Sequence, residues 1–370
     1  MPNKLSLYAN VGPELTHYDV DVDAATLTRR GTVSLPANVQ YAWPHAARPF
    51  LYVATSDSAS GTGPAGNTHH VTAFGIGPTG ELRQRGEPIL LPTRPVHMST
   101  DIPSRYILVA FNNPSAVRVY RIDSDATPGE EVAQPRPIDP GIFGHQVRAT
   151  LDNRQMILVT RGHDAAGGKP EEPGALKVFD FKDGVLSDEV SIAPDGGYGF
   201  GPRHLDFHPS RPWVYVSLER QNALDMFETT NGVLSPTPRF RKNTLGRAPV
   251  ARQAVGTVHV HPNGRTVYVA NRASNADGEN SLAVFTIDQS TGEPHLNEHI
   301  DSHGIHPRTF HIDPSGRLMA VAHITGAALS LFRIGDDGGL HFARTYNIDV
   351  GQRTMWWMGM VEHAAQDAAT

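Results

Sequence analysis

Five residues in this 370-residue sequence have side chains able to do chemistry and stand at matched places in a repeating frame: His145, Arg203, Glu219, Arg272 and Arg308. An arginine presents a planar fork of donors that suits an oxyanion or an anionic substituent. Histidine and glutamate take up and return protons. Together these groups make a site that activates water and stabilises a developing anion. His97, His204, His259, Arg308 and His323 fall in the same or adjacent registers and are the candidates for holding a substrate. The acid and base roles of His145 and Glu219 stay open at this level. A structural reading stands beside the chemical one: arginines can bridge strands through carbonyls, and Glu219 with Arg272 can be an ion pair.

The frame that must position these residues is a repeat. Six turn residues, His45, Asp101, Thr150, His208, His261 and Asp313, are spaced 56, 49, 58, 53 and 52 apart. After each comes an arginine (Arg48, Arg105, Arg154, Arg211, Arg265, Arg317) and an apolar strand such as Phe50-Leu-Tyr-Val-Ala54 or Trp213-Val-Tyr-Val-Ser217. An alternating strand ending in an aromatic follows, as in Ala223-Leu-Asp-Met-Phe227. Then comes a turn with a short strand, as in Asn231-Gly-Val-Leu234. Alternation with Asp-Gly and Asn-Gly turns marks antiparallel hairpins. Four strands in about 50 residues is one propeller blade. The N-terminal segments Leu5–Ala9, Leu15–Tyr18 and Leu27–Val33 lack a first strand, and Thr354–Val361 is a lone apolar strand. Joined, they predict a seventh blade that closes the ring. The fold class is therefore all-β, a seven-bladed β-propeller of four-stranded antiparallel blades, forming a single domain over residues 1–370.

In a propeller the first strands line a channel, and equivalent residues of different blades become neighbours. One register, five residues ahead of the turn, reads Gln40, Val96, His145, Arg203, Gly256, Arg308. Another, just past the second strand, reads Ser56, Asn112, Gly162, Glu219, Arg272, Ile324. His145, Arg203, Arg308, Glu219 and Arg272 all come from these two rows. The turn histidines His45, His208 and His261 read as caps of their turns. Two Gly/Pro-rich stretches, Asp57–His69 and His163–Gly174, interrupt the repeat and read as loops, more often mobile and solvated than covering a site.

Composition narrows the partners. A net charge of −6 argues against general nucleic-acid or membrane-surface binding. With no cysteine, disulfides, thiolate nucleophiles and Cys-held metals are excluded. Nineteen histidines invite a metal, but Glu219 is the only carboxylate in the two rows, and no metal or other cofactor is expected. Gly-x-Ser-x-Gly, phosphate-loop and His-Glu-x-x-His motifs are absent. Without an apolar stretch at its start, the sequence reads as a soluble cytoplasmic protein.

Several segments go beyond the repeat: Pro95–Asp101, Gly144-His145, Gly199-Phe-Gly-Pro-Arg-His-Leu-Asp-Phe-His-Pro209, Glu219, His259–Arg265, Asn271-Arg272, Pro307-Arg308, Asp313–Arg317 and Met355-Trp356. Through them, and over nearly its whole length, the sequence resembles the propeller-type 6-phosphogluconolactonase family, seven-bladed lactonases that include carboxy-cis,cis-muconate cyclase. The resemblance implies that His145, Arg203, Glu219 and Arg272 are the active-site residues and that the substrate is a small lactone. Hydrolysis of a sugar lactone is the expected reaction. A muconate-type lactonising cycloisomerase on the same residues, or a non-enzymatic propeller scaffold, are the alternatives.

Overall fold

The computed structural model describes residues 4–58, 65–325, 328–348 and 353–364. Among them the regular structure is almost all strand, apart from a single 3₁₀ turn at Pro194–Gly197. The strands form seven antiparallel sheets. Six are built from consecutive strands: blade 1 spans residues 38–90, blade 2 95–131, blade 3 144–192, blade 4 202–243, blade 5 254–301 and blade 6 305–347. In blade 7, Met358–His363 pairs with Lys4–Val11, which is followed by Glu14–Asp21 and Thr26–Ser34. This is the seven-bladed β-propeller expected from the repeat, with both chain ends in one blade.

Two local expectations need correction. The C-terminal strand begins at Met358, not at Thr354. Asn10 explains the delay: its Oδ1 accepts the main-chain N–H groups of Trp356 and Trp357 at 3.0 and 2.8 Å, taking the place of the ladder. The outer position of blade 4 is divided between Val233–Leu234 and Phe240–Asn243, both paired with Ala223–Thr230. The His163–Gly174 stretch lies outside the strands and is largely exposed. It folds back on itself through bridges between His163 and Glu172 and between Ala166 and Lys169. Of the Asp57–His69 stretch, residues 59–64 lie outside the described residues.

The chain packs as two compact units. One comprises Met1–Leu158, Lys177–Val190 and Met355–Thr370; the other comprises Val159–Leu176 and Ser191–Thr354. In the first, Tyr52, Val71, Val109 and Phe111 pack blade 1 against blade 2. In the second, Tyr215, Met226, Val258 and Phe285 pack blade 4 against blade 5, and Tyr268, Phe310 and Phe332 continue into blade 6.

The turn histidines do cap their turns, and two of them also tie one blade to the next. His208 Nδ1 accepts the N–H groups of Ser210 and Arg211 at 3.2 and 3.0 Å, and its Nε2–H donates to the Gly264 carbonyl at 2.8 Å. His261 repeats this one blade on, accepting from Asn263 and donating to the Gly316 carbonyl at 2.8 Å. Gly264 and Gly316 have φ of 71° and 75°, and a Cβ at either would meet the incoming imidazole at 2.6 or 2.5 Å. Glycine is therefore required there by both backbone and space.

One irregularity repeats in the first strands. The ladder slips between Val39 and Tyr41, Pro95 and His97, Pro202 and His204, Val255 and Val258, and Pro307 and Thr309. The skipped residues are Gln40, Val96, Arg203, Gly256 with Thr257, and Arg308. In these five blades the position five residues ahead of the turn is thus a β-bulge. A bulge leaves one residue outside the ladder and re-aims its side chain, which is what a site residue on an otherwise regular strand needs.

Candidate active site

Within the second unit the side chains converge on Glu219. This residue follows the strand Trp213–Leu218, and its backbone is pinned on both sides. Its N–H donates to the Gly201 carbonyl at 2.8 Å, and its carbonyl accepts the Val255 N–H at 2.9 Å. Glu219 is 6% exposed and three guanidiniums surround its carboxylate. Arg161 Nη1 donates to Oε2 at 2.6 Å. Arg272 Nη2 donates to Oε1. Arg203 Nε lies 3.5 Å from Oε1. Arg203, set out by the blade 4 bulge, is 1% exposed and the largest fully buried side chain among the described residues. A buried guanidinium is costly unless an anion is at hand, and Glu219 supplies that anion. Three cations against one carboxylate leave the cluster with excess positive charge, to which half-buried Arg308 adds.

Arg272 ends the strand Thr266–Arg272 and is tied on every nitrogen. Nε donates to the Val255 carbonyl at 3.4 Å, Nη2 to Glu219, and Nη1 to His306 Nε2 at 2.7 Å. His306 lies on the strand Ile305–Ile312, two residues before Arg308. Burial first, then the charges of Arg272, Arg308 and Arg203, push this imidazole down to about 3, against the opposing pull of Glu219. It is neutral throughout the physiological range.

Of the residues singled out in the sequence, the structure brings Arg203, Glu219 and Arg272 together, with Arg308 beside them through His306. His204 is buried next to Arg203, and its N–H donates to Ser217 Oγ at 3.3 Å. His259 belongs to a different group. Its Nδ1 pairs with Asp206 Oδ2 at 3.3 Å and its ring meets Phe310 edge-on. Asp206 is three residues further along the strand from Arg203, about 10 Å at strand rise. His323 is fully buried, with its Nδ1–H donating to the Ala328 carbonyl at 3.0 Å. His145 and His97 belong to the first unit. His145 is buried on the strand Gly144–Ala149; His97 is buried against Tyr41 and Trp43, with ring centroids 4.1 and 6.0 Å away.

Arg161 and His306 were not among the sequence candidates. Arg161 lies as far past Thr150 as Glu219 lies past His208 and Arg272 past His261, so a strict count of the row gives Arg161 in place of Gly162. His306 stands off the ruler, two residues ahead of Arg308.

A cleft of 570 Å³ adjoins the cluster. It is lined by Arg247, Glu279, Asn280, His299, Asp301 and Ile305 among others. Asn280 links cleft and cluster, because its Oδ1 accepts the His306 N–H at 2.8 Å. The volume falls in the range that small-molecule sites occupy. Among the described residues no group of three or more His, Asp or Glu is arranged to hold a metal ion.

Known proteins share this frame. The chain is 30% identical over 281 residues to a 6-phosphogluconolactonase of Bacillus subtilis, covering 71% of this chain and 72% of that protein. It is 27% identical over 331 residues to a 6-phosphogluconolactonase of Erwinia tasmaniensis, covering 89% and 90%. The periplasmic gluconolactonase of Pseudomonas aeruginosa has the same fold, with a TM-score of 0.77 at 19% identity over 97% of this chain and 99% of that one. The model of the lactonase, 7-bladed beta-propeller family matches residues 6–356, and the chain belongs to that family.

Proposed function

We propose that this lactonase opens a sugar lactone to its hydroxy acid, with 6-phosphogluconolactone or a related aldonolactone as substrate. The observation that carries the reading is the gathering of Arg161, Arg203 and Arg272 on the single buried carboxylate of Glu219. The names of the two 6-phosphogluconolactonases and the gluconolactonase support the substrate class.

In the proposed reaction, water oxygen bonds to the lactone carbonyl carbon and the carbonyl oxygen takes the charge. Arg203 and Arg272 hold that oxyanion as it forms. The water proton passes to a base. Collapse restores the carbonyl and breaks the ring C–O bond, and the departing oxygen is protonated to the hydroxyl. Glu219 has both oxygens engaged by guanidiniums, so its first task is to hold the arginines in place. The two proton acceptors offered by the sequence, Glu219 and His145, are separated by E219Q and H145Q in single-turnover assays. An anionic substituent on the substrate would meet the surplus positive charge of the cluster.

The test is proton release on lactone opening at slightly acid pH, where the uncatalysed reaction is slow. 6-Phosphogluconolactone, gluconolactone and a muconolactone are compared, each with and without chelator. Turnover of the phosphorylated lactone above the other two is expected. No turnover of any of the three would overturn the reading, and loss of activity with chelator would require a metal in the mechanism.

A further inference from the structure

His306 holds a backbone conformation that its residue type seldom takes. Its φ is 62°, in the left-handed region where a side chain is strained. Asn280 maintains it: one side-chain oxygen accepts the N–H of His306 at 2.8 Å and that of Ala273 at 3.0 Å. The residue after Arg272 and the histidine that contacts Arg272 are therefore fixed to one atom. The outcome is an imidazole whose Nε2 faces Arg272 Nη1 at 2.7 Å.

The protonation pattern follows from chemistry. A guanidinium donates and does not accept, so Nε2 must present its lone pair and the ring proton must sit on Nδ1. The charged groups facing the ring are Arg272, Arg308, Arg203 and Glu219, and burial together with the three cations keeps it neutral. Arg272 spends three of its N–H donors, on Val255, Glu219 and His306. A guanidinium has about five, which leaves one on each terminal nitrogen for a ligand. A neutral acceptor on one side orients that fork without cancelling its charge, whereas a second carboxylate there would neutralise it.

We infer that His306 is a positioning residue, a neutral acceptor locked as its Nδ1–H tautomer, which aims Arg272 at the reacting oxygen. The catalytic consequence rests on the lactonase reading above; the tautomer and the Arg272 contact do not.

Three variants and one spectrum test this. Gln carries its amide oxygen about as far out as Nε2, whereas the Asn oxygen stops near the Nδ1 position. Asn, however, tolerates a left-handed backbone better than Gln. H306A and H306N are expected to lower kcat about ten- to hundredfold, as slight misplacement of a catalytic group does, with KM changed by less than about threefold. H306Q is expected to recover most of the loss. Equal or better activity in H306N than in H306Q would make the role one of backbone accommodation and overturn the inference, as would wild-type kcat in H306A. Independently, ¹⁵N NMR of the wild-type protein should show His306 with Nδ1 protonated and Nε2 bare from pH 5 to 8, with that signature lost in R272Q. A ring that titrates in this window, or carries its proton on Nε2, would overturn it. The spectrum reads out whether or not any lactone is turned over, so failure of the inference and failure of the lactonase reading are told apart.

Discussion

Arg161 Nη1 donates to Glu219 Oε2 at 2.6 Å, while Arg272 binds the other oxygen of the same carboxylate. The carboxylate thus holds two guanidiniums apart and in place, with Arg203 Nε 3.5 Å from Oε1. Removing Glu219 should cost both activity and stability. E219A leaves buried cations without their anion, and losing one partner of a buried ion pair costs about 3–5 kcal/mol. A lowered urea midpoint together with a kcat reduced at least about 10²-fold is the expected result. R203A should reduce kcat by about 10²–10³-fold, as removal of an oxyanion donor does. Wild-type turnover in folded R203A would remove it from the reaction.

The two rows of equivalent residues were legible in the sequence because each stands at a constant distance from a turn. The bulge that sets Arg203 and Arg308 out of the ladder occupies the same step in other blades, so counting back from His208 and Asp313 finds it. The same count names Arg161, not Gly162, as the blade 3 member of the second row, and Arg161 reaches Glu219. Counting fails where geometry departs from the repeat: His306 acts through a left-handed backbone that no local motif announces. His259 shows how far a neighbouring position can lie from the row: it stands two residues before the turn histidine His261 and pairs with Asp206. Spacing along the chain predicts which strand a residue is on better than which end of it shares a ligand.

The joint between the chain ends should be acid-sensitive. Ser6 Oγ bonds His17 Nε2 at 3.0 Å and His363 Nε2 at 2.9 Å, linking the C-terminal strand to the first two strands of blade 7. Burial lowers both imidazoles; at His17 Asp19 opposes it and His363 adds to the lowering, and at His363 the Ala364 carbonyl opposes it, with Lys4 lowering and Asp19 and Glu81 raising. An unfolded imidazole titrates near about 6.5. The unfolded chain therefore binds more protons below that pH, and the stability present above it is lost as pH falls toward the native values. The melting temperature should fall from pH 7.5 to pH 5, and H363Q should flatten that dependence. An equal slope in H363Q would show that other groups govern it.

A row of buried tyrosines stitches neighbouring blades. Tyr215 OH donates to the Gly292 carbonyl and Tyr268 OH to the Gly338 carbonyl, each at 2.8 Å, and the acceptor in each case is a positive-φ turn residue of the following blade. Tyr8 and Tyr52 do the same to Gly80 and Ala126 at 2.7 and 3.1 Å. Y215F and Y268F remove one hydroxyl each and leave a carbonyl unsatisfied, a loss of about 1–3 kcal/mol. The urea midpoint should drop with an unchanged m-value. No drop in either variant would mean that the turn carbonyls find another donor.

Arg220 holds the hairpin that begins next to Arg161. Its Nε pairs with Asp164 Oδ1 at 2.5 Å, and its Nη2 donates to the Arg161 carbonyl at 3.1 Å. On the same hairpin Glu171 Oε1 accepts the Gly199 N–H at 2.9 Å, ahead of the strand that carries Arg203. Asp164 is exposed, so the ion pair alone contributes little. The bond to the Arg161 carbonyl matters more, because it fixes the backbone from which the third guanidinium reaches Glu219. R220Q should therefore speed amide exchange across residues 163–174 and lower kcat by about tenfold, less than R203A, because the arginines remain but one is less well placed. Faster exchange with wild-type kcat would confine Arg220 to the hairpin. Unchanged exchange with unchanged kcat would show that the two backbone bridges of the hairpin suffice to hold Arg161.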